Sequence, residues 1–275
     1  MMKKIGLIFL SLAFLSCSKV GVGYSIGTHQ IQNRVDDAFD FPRAKSKEVD
    51  RYLSAEFDKN KKTVFKKLKE LLFKMEALAQ KENPTQVEKD QLHQYLKDYQ
   101  KEMITLFKPS FDKVIQEVGD SEINNFKEYS AEQITEKKEE ALDKKSFKKK
   151  KTTNLKRVAE FLLGDLSKEQ EQLVIKFVDE HVEFYVEQID MRKLFNDDLV
   201  KLYPQKDKMT DLSLAYYSGD NSIRTDDYKK LRSTFELEMK NFIFALWDQK
   251  TDEQKQFFQK RVKDISSEVD KILIE

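Results

Sequence analysis

The sequence predicts an all-α protein, an elongated bundle of long antiparallel helices. Three observations carry that expectation. Of 275 residues only 7 are Gly and 4 Pro, while 36% are charged and 20 are Phe, a composition suited to amphipathic helices. Beyond Asp40 the apolar residues recur at steps of four and three, the period of a single helix face. Finally, Thr85, Ser130, Ser167 and Thr251 are each followed three places later by Glu or Gln. That is the capping box, in which a hydroxyl accepts from an orphan amide and the longer side chain reaches back to the cap.

The chain opens on an address. Lys3 and Lys4 precede a short apolar run from Ile5 to Leu15, a secretory signal too short to span a bilayer as a helix. Phe14-Leu15-Ser16-Cys17 resembles a bacterial lipobox, and Cys17 is the chain's single Cys. The resemblance implies cleavage after residue 16, with lipid carried on the Cys17 sulfur and on the new amino terminus. Several acyl chains anchor a protein stably where one does not. Ser18 stands where an Asp would retain the protein at the inner membrane, so the expected location is the outer membrane, facing the periplasm. The expected divisions are a signal peptide over 1–16, the lipidated Cys and a flexible tether over 17–40, and one helical domain over 41–275. Gly21, Gly23 and Gly27 suggest the tether. Gly23-Tyr24-Ser25-Ile26-Gly27 matches a nucleophile elbow formally, but without the strand-turn-helix setting that motif needs.

Within the domain, Phe57, Val64, Leu68, Leu71, Met75 and Leu78 form one stripe, widened by Phe65, Leu72 and Ala79. Pro109 should break a helix near Lys108, ahead of Phe111, Val114, Ile115 and Val118. Gly119 and Gly164 sit where helix ends favour positive φ. Lys168 to Tyr203 contains no Gly or Pro and could run as one helix of about 50 Å. Phe258, Val262, Ile265, Val269 and Ile272 form the last stripe. Linkers are expected at residues 143–154, 204–208 and 218–224; the last contains the turn Ser218-Gly219-Asp220-Asn221. Thr85, Ser167 and Thr251 lie 82 and 84 residues apart, a regularity of helix length without a repeated side-chain pattern.

Taken together, Cys17-Ser18, Asp36-Asp37-Ala38-Phe39-Asp40-Phe41, the step from Phe161 to Gln170 and the terminal Thr251-Asp252-Glu253-Gln254 resemble a proteobacterial lipoprotein family classified only as a domain of unknown function. The resemblance implies an envelope location and an all-helical fold over essentially the whole mature chain. It supplies no catalytic residues.

Chemistry is sparse. None of His29, His93 and His181 begins a His-Glu-x-x-His helix, and only Asp90-His93 has the carboxylate-x-x-His spacing of a di-iron bundle. A single Cys excludes zinc cages built on Cys pairs and any internal disulfide. No phosphate-binding glycine fingerprint is present. We therefore expect no catalytic site, metal or cofactor, and no nucleic-acid partner for a chain of formal charge +1. The sharpest charge feature is the run Lys144, Lys145, Lys148, Lys149, Lys150 and Lys151, followed by Lys156-Arg157, a candidate contact for an anionic surface or simply a solvated linker. The apolar stretch Phe235 to Trp247 reads as core. The expected role is non-enzymatic: an interaction or structural module of the envelope, tethered to the membrane through Cys17, with an envelope protein as partner. The alternative is a carrier or chaperone holding an apolar ligand or client between its helices. The two differ in one property, because a carrier needs a sizeable apolar cavity and a docking module an exposed apolar patch.

Overall fold

A computed structural model describes residues 20–274. The described residues form eleven helices and no strands. They are α1 (Val20–Phe39), α2 (Arg43–Gln80), α3 (Gln86–Leu106), α4 (Lys108–Glu117), α5 (Asp120–Leu142), α6 (Lys144–Leu163), α7 (Lys168–Glu180), α8 (Val182–Leu202), α9 (Lys206–Ser218), α10 (Asp226–Asp248) and α11 (Asp252–Ile274). The all-α bundle expected from composition and period is what forms.

Two apolar cores divide the bundle. One gathers α1, α2, α3, α4, α9 and α11 around Val49, Leu53, Phe65, Leu72, Val118 and Val269. The other joins α6, α7, the start of α8 and α10 around Phe147, Val174, Val178 and Phe184. Leu162 and Trp247 pack against both. The expected stripes are buried in the first core from Phe57 to Leu71 on α2 and from Phe258 to Val269 on α11, and these two helices pack closely along each other.

Three capping boxes stand where the sequence places them. The Thr85 hydroxyl accepts from the Glu88 amide, and Glu88 accepts from the Thr85 amide. Ser167 with Gln170 and Thr251 with Gln254 repeat the exchange. The last two boxes also meet. Gln170 and Gln254, both buried, donate to each other's side-chain oxygens at 3.0 and 2.8 Å. Gln170 further donates to the Leu246 carbonyl and Gln254 to the Asp165 carbonyl. The α6–α7 and α10–α11 turns are thereby locked together. Gly164 ends α6 at φ +77, with the Phe257 ring 3.3 Å from where a Cβ would stand.

Several expectations are corrected. Most of the tether is helix: α1 begins at Val20, with Val20, Tyr24 and Phe39 buried and Tyr24 donating to the Phe57 carbonyl at 2.8 Å. Val20, Tyr24, Ile31 and Val35 lie on the side packed to the first core, and that burial outweighs the roughly 1 kcal/mol each helical Gly costs. The linker at 143–154 shrinks to Asp143, whose carboxylate caps α6 through the Ser146 amide at 3.1 Å. Ser130 begins no helix; it lies inside α5 and donates to the Lys127 carbonyl. Gly119 has φ −108 and precedes α5 rather than ending α4 in a left-handed turn. The long helix from Lys168 breaks at His181, whose ring lies 4.3 Å from that of Phe177 and 5.3 Å from that of Phe235. The break at Pro109 and the turn after Ser218 fall as expected.

Candidate functional site

A slot of about 560 Å³ lies along the seam between the two cores. α10 forms one wall, from Tyr228 to Trp247. The ends of α2 (Met75, Leu78, Ala79), the middle of α3, and α6 (Leu155, Val158, Ala159, Leu162, Leu163) form the others, with Phe258 of α11 at the floor. Met75 and Leu78 continue the expected stripe of α2 yet are only half-buried, because both line this space.

Polarity changes along the slot. On α10, Arg232 and Glu236 give way to Met239, Phe242, Ile243, Phe244, Leu246 and Trp247; every lining residue of α6 and α11 is apolar. On α3, apolar Leu92 is followed by His93, Lys97, Asp98 and Lys101. Since Lys89 pairs with Asp248 (2.8 Å), Asp90 with Lys240 (2.7 Å) and Lys97 with Glu236 (3.2 Å), the two helices run antiparallel. Their polar halves therefore meet at one end of the slot.

These three ion pairs clasp α3 to α10, yet the two helices are not among those whose backbones pack closely. Long side chains bridge the gap between them, and of the six residues Lys97 and Glu236 also line the slot. Exposed pairs of this kind contribute about 0–1 kcal/mol each and weaken with salt. At the polar end Arg232 pairs with Glu236 through Nε and donates to the Gly219 carbonyl at 3.0 Å. Burial would raise the Glu236 carboxyl, but Arg232 and Lys97 outweigh it and hold it below the usual range. Burial, with Lys97 and Lys240 nearby, lowers the His93 imidazole, which favours its neutral form at pH 7.

The sequence-derived candidates are scattered. Cys17 lies outside the described residues. The lysine run winds around α6: Lys144, Lys145 and Lys149 are exposed, Lys148 pairs with Asp179 at 2.8 Å and Lys150 pairs with Glu140. Lys151 is withdrawn from any surface contact, because it is 3% exposed with Nζ 4.4 Å from the Phe147 ring centroid and 4.9 Å from that of Tyr185. Burial pushes its amine down to about 7, and Nζ has no hydrogen-bond partner among the described residues. His29 is exposed on α1, His93 lines the slot, and His181 lines an open depression on another side of α10, 2.8 Å from the Glu238 carboxylate. No cluster of His, Cys, Asp or Glu that could hold a metal ion occurs among the described residues, and no helix among them is long and apolar enough to cross a membrane.

Sequence reasoning missed the slot. Of the stretch read as core, Phe235 and Phe242 are buried, while Ile243, Phe244 and Trp247 are not, and all five line it.

No curated protein and no solved structure matches the chain. A family match spans residues 37–229. It takes in Asp37-Ala38-Phe39-Asp40-Phe41 and the Ser167 step, but stops short of the Thr251 helix, so the family stretch is shorter than the resemblance implied. Most of the α10 wall, from Lys230 on, also lies beyond it. Over those matched residues, the chain belongs to the family of unknown function DUF6279.

Proposed function

We propose that this chain is an envelope lipoprotein, anchored through Cys17 in the outer membrane and facing the periplasm, that carries a small apolar molecule without performing chemistry on it. The slot is the observation behind the carrier reading. Its volume, about 560 Å³, falls within the ~300–1,000 Å³ of small-molecule sites, and its lining is mostly apolar. It is far too small for an unfolded client, so the carrier reading narrows to a small ligand. The rival role, a docking module for an envelope protein, would rest on exposed apolar side chains; the most exposed, Phe73, Val87, Leu142 and Ile274, lie on four different helices. The signal sequence and lipobox-like Phe14-Leu15-Ser16-Cys17 support the anchor. Val20, buried in the first core, is three residues from Cys17, so a lipid on Cys17 would hold the bundle within roughly 10 Å of the bilayer surface.

The test is purification of the full chain from membranes, followed by native mass spectrometry after detergent exchange. We expect a bound small molecule in the wild type and its loss in Val158→Phe, which sets a ring among the lining residues of the slot. Protein that is empty on isolation, or that keeps the same molecule in that variant, contradicts the carrier. For the anchor, Cys17→Ala should leave the membrane fraction; a variant that stays there contradicts it.

A further inference from the structure

We infer that the slot takes a single-chain amphiphile with an anionic head group, a carboxylate, sulfate or phosphate monoester, whose chain lies along α10 and whose head sits at Arg232, Lys97 and Lys101. This rests on the carrier reading and specifies its ligand.

Shape is the first argument. At ~1.5 Å per residue, the α10 wall from Tyr228 to Trp247 is roughly 28 Å long. Its lining residues run the whole of that length. Such a space is long. It suits one extended hydrocarbon chain better than a compact molecule of equal volume.

The second argument is the lengthwise change in polarity. A wholly apolar ligand would strip water from the charged end and offer nothing in its place, and a wholly polar one would leave the stretch from Met239 to Trp247 against water. Only a molecule apolar at one end and polar at the other matches both halves.

Charge at the polar end sets the sign of the head group. The charged lining residues there are Lys97, Lys101 and Arg232 against Asp98 and Glu236, one positive charge in excess. Just behind them, Arg224 donates to the same Gly219 carbonyl as Arg232, at 3.1 Å, and Asp220, beside Lys101, offsets it. Arg232 uses Nε on Glu236 and Nη1 on the Gly219 carbonyl, which leaves Nη2, lying against Gly219, without a hydrogen-bond partner among the described residues. A guanidinium edge with free N–H groups is suited to a carboxylate or phosphate oxygen. A cationic head would meet Arg232 and Lys101 instead.

Trp247 is the chain's single Trp and lines the slot, so its fluorescence reports occupancy. Delipidated full-length protein is titrated, below the critical micelle concentration, with palmitate, hexadecyl sulfate, hexadecyl phosphate, hexadecanol, hexadecylphosphocholine and hexadecylamine. We expect the three anionic probes to bind at least about tenfold tighter than the alcohol and the amine, the loss of one charge-assisted hydrogen bond being worth about that factor. Arg232→Gln should remove most of the preference while retaining hexadecanol binding. Lys97→Met, at an exposed position, should reduce it too, which covers a folding failure of the first variant. The order among the three anionic probes distinguishes a fatty acid from a phosphate-bearing lipid. Equal binding of all probes, or preference for the amine, overturns the head-group inference and leaves the carrier standing. Binding by none overturns the carrier reading itself.

Discussion

Gln170→Ala should destabilise the fold by roughly 3–4 kcal/mol, although Gln170 touches no candidate ligand site. The side chain is wholly buried and makes four hydrogen bonds: it accepts from the Ser167 amide and from Gln254, and donates to Gln254 and to the Leu246 carbonyl. Gln254 keeps its bonds to Thr251 and Asp165 after the truncation. The Leu246 carbonyl and the Ser167 amide lose theirs, and each buried group left unpaired costs about 1–3 kcal/mol. The lost packing adds to that. Because Leu163, Leu246 and Trp247 line the apolar end of the slot, loosening the junction should also weaken ligand binding. Urea unfolding followed by circular dichroism gives the stability. The double variant Gln170→Met, Gln254→Met should cost clearly less than the two single changes together, since it removes both amides at once. A single-variant loss below about 1 kcal/mol, or strict additivity, would refute the reciprocal junction.

Three further outcomes are expected. Lys151→Met should stabilise the protein by roughly 2–4 kcal/mol near neutral pH, because it removes a buried, unpartnered amine. The folded pKa is about 7, below the unfolded ~10.4. The cost of the lysine is therefore complete below about pH 7 and fades as pH rises toward 10; a gain that grows over that interval in denaturant titrations would contradict the assignment. Thr85→Ala and Ser167→Ala should each cost about 1 kcal/mol, whereas Ser130→Ala, inside α5, should stay within about 0.5 kcal/mol, a contrast that thermal unfolding resolves. Raising salt from low to molar should loosen the α3–α10 clasp and speed ligand exchange; an exchange rate indifferent to salt would show that the three ion pairs do not gate the slot.

Helix faces and caps were readable because local chemistry decides them. The Ser-x-x-Gln signal succeeded at Ser167 and failed at Ser130 for a reason visible nearby. Gly164-Asp165-Leu166 ends one helix before Ser167, while Phe126-Lys127-Glu128-Tyr129 gives the chain no cause to stop. The spacing of Val20, Tyr24, Ile31 and Val35 is that of a helix face, but the glycines among them point to a tether, and only burial against the first core decides between the two. His181 breaks a helix with no Gly or Pro beside it; its ring packs against both Phe177 and Phe235, a tertiary cause. The slot is the extreme case. An apolar stripe facing a cavity has the same spacing as one facing a neighbour, so Phe242, Ile243 and Trp247 look alike in sequence whichever they line.

The most direct measurement uses a bromine-substituted stearate as a quencher of Trp247. If the slot holds a hydrocarbon chain along α10, quenching should saturate at one equivalent, compete with palmitate and disappear in Val158→Phe. Quenching that never saturates, or that survives unchanged in that variant, would mean that the chain binds elsewhere and that the slot is not the ligand site.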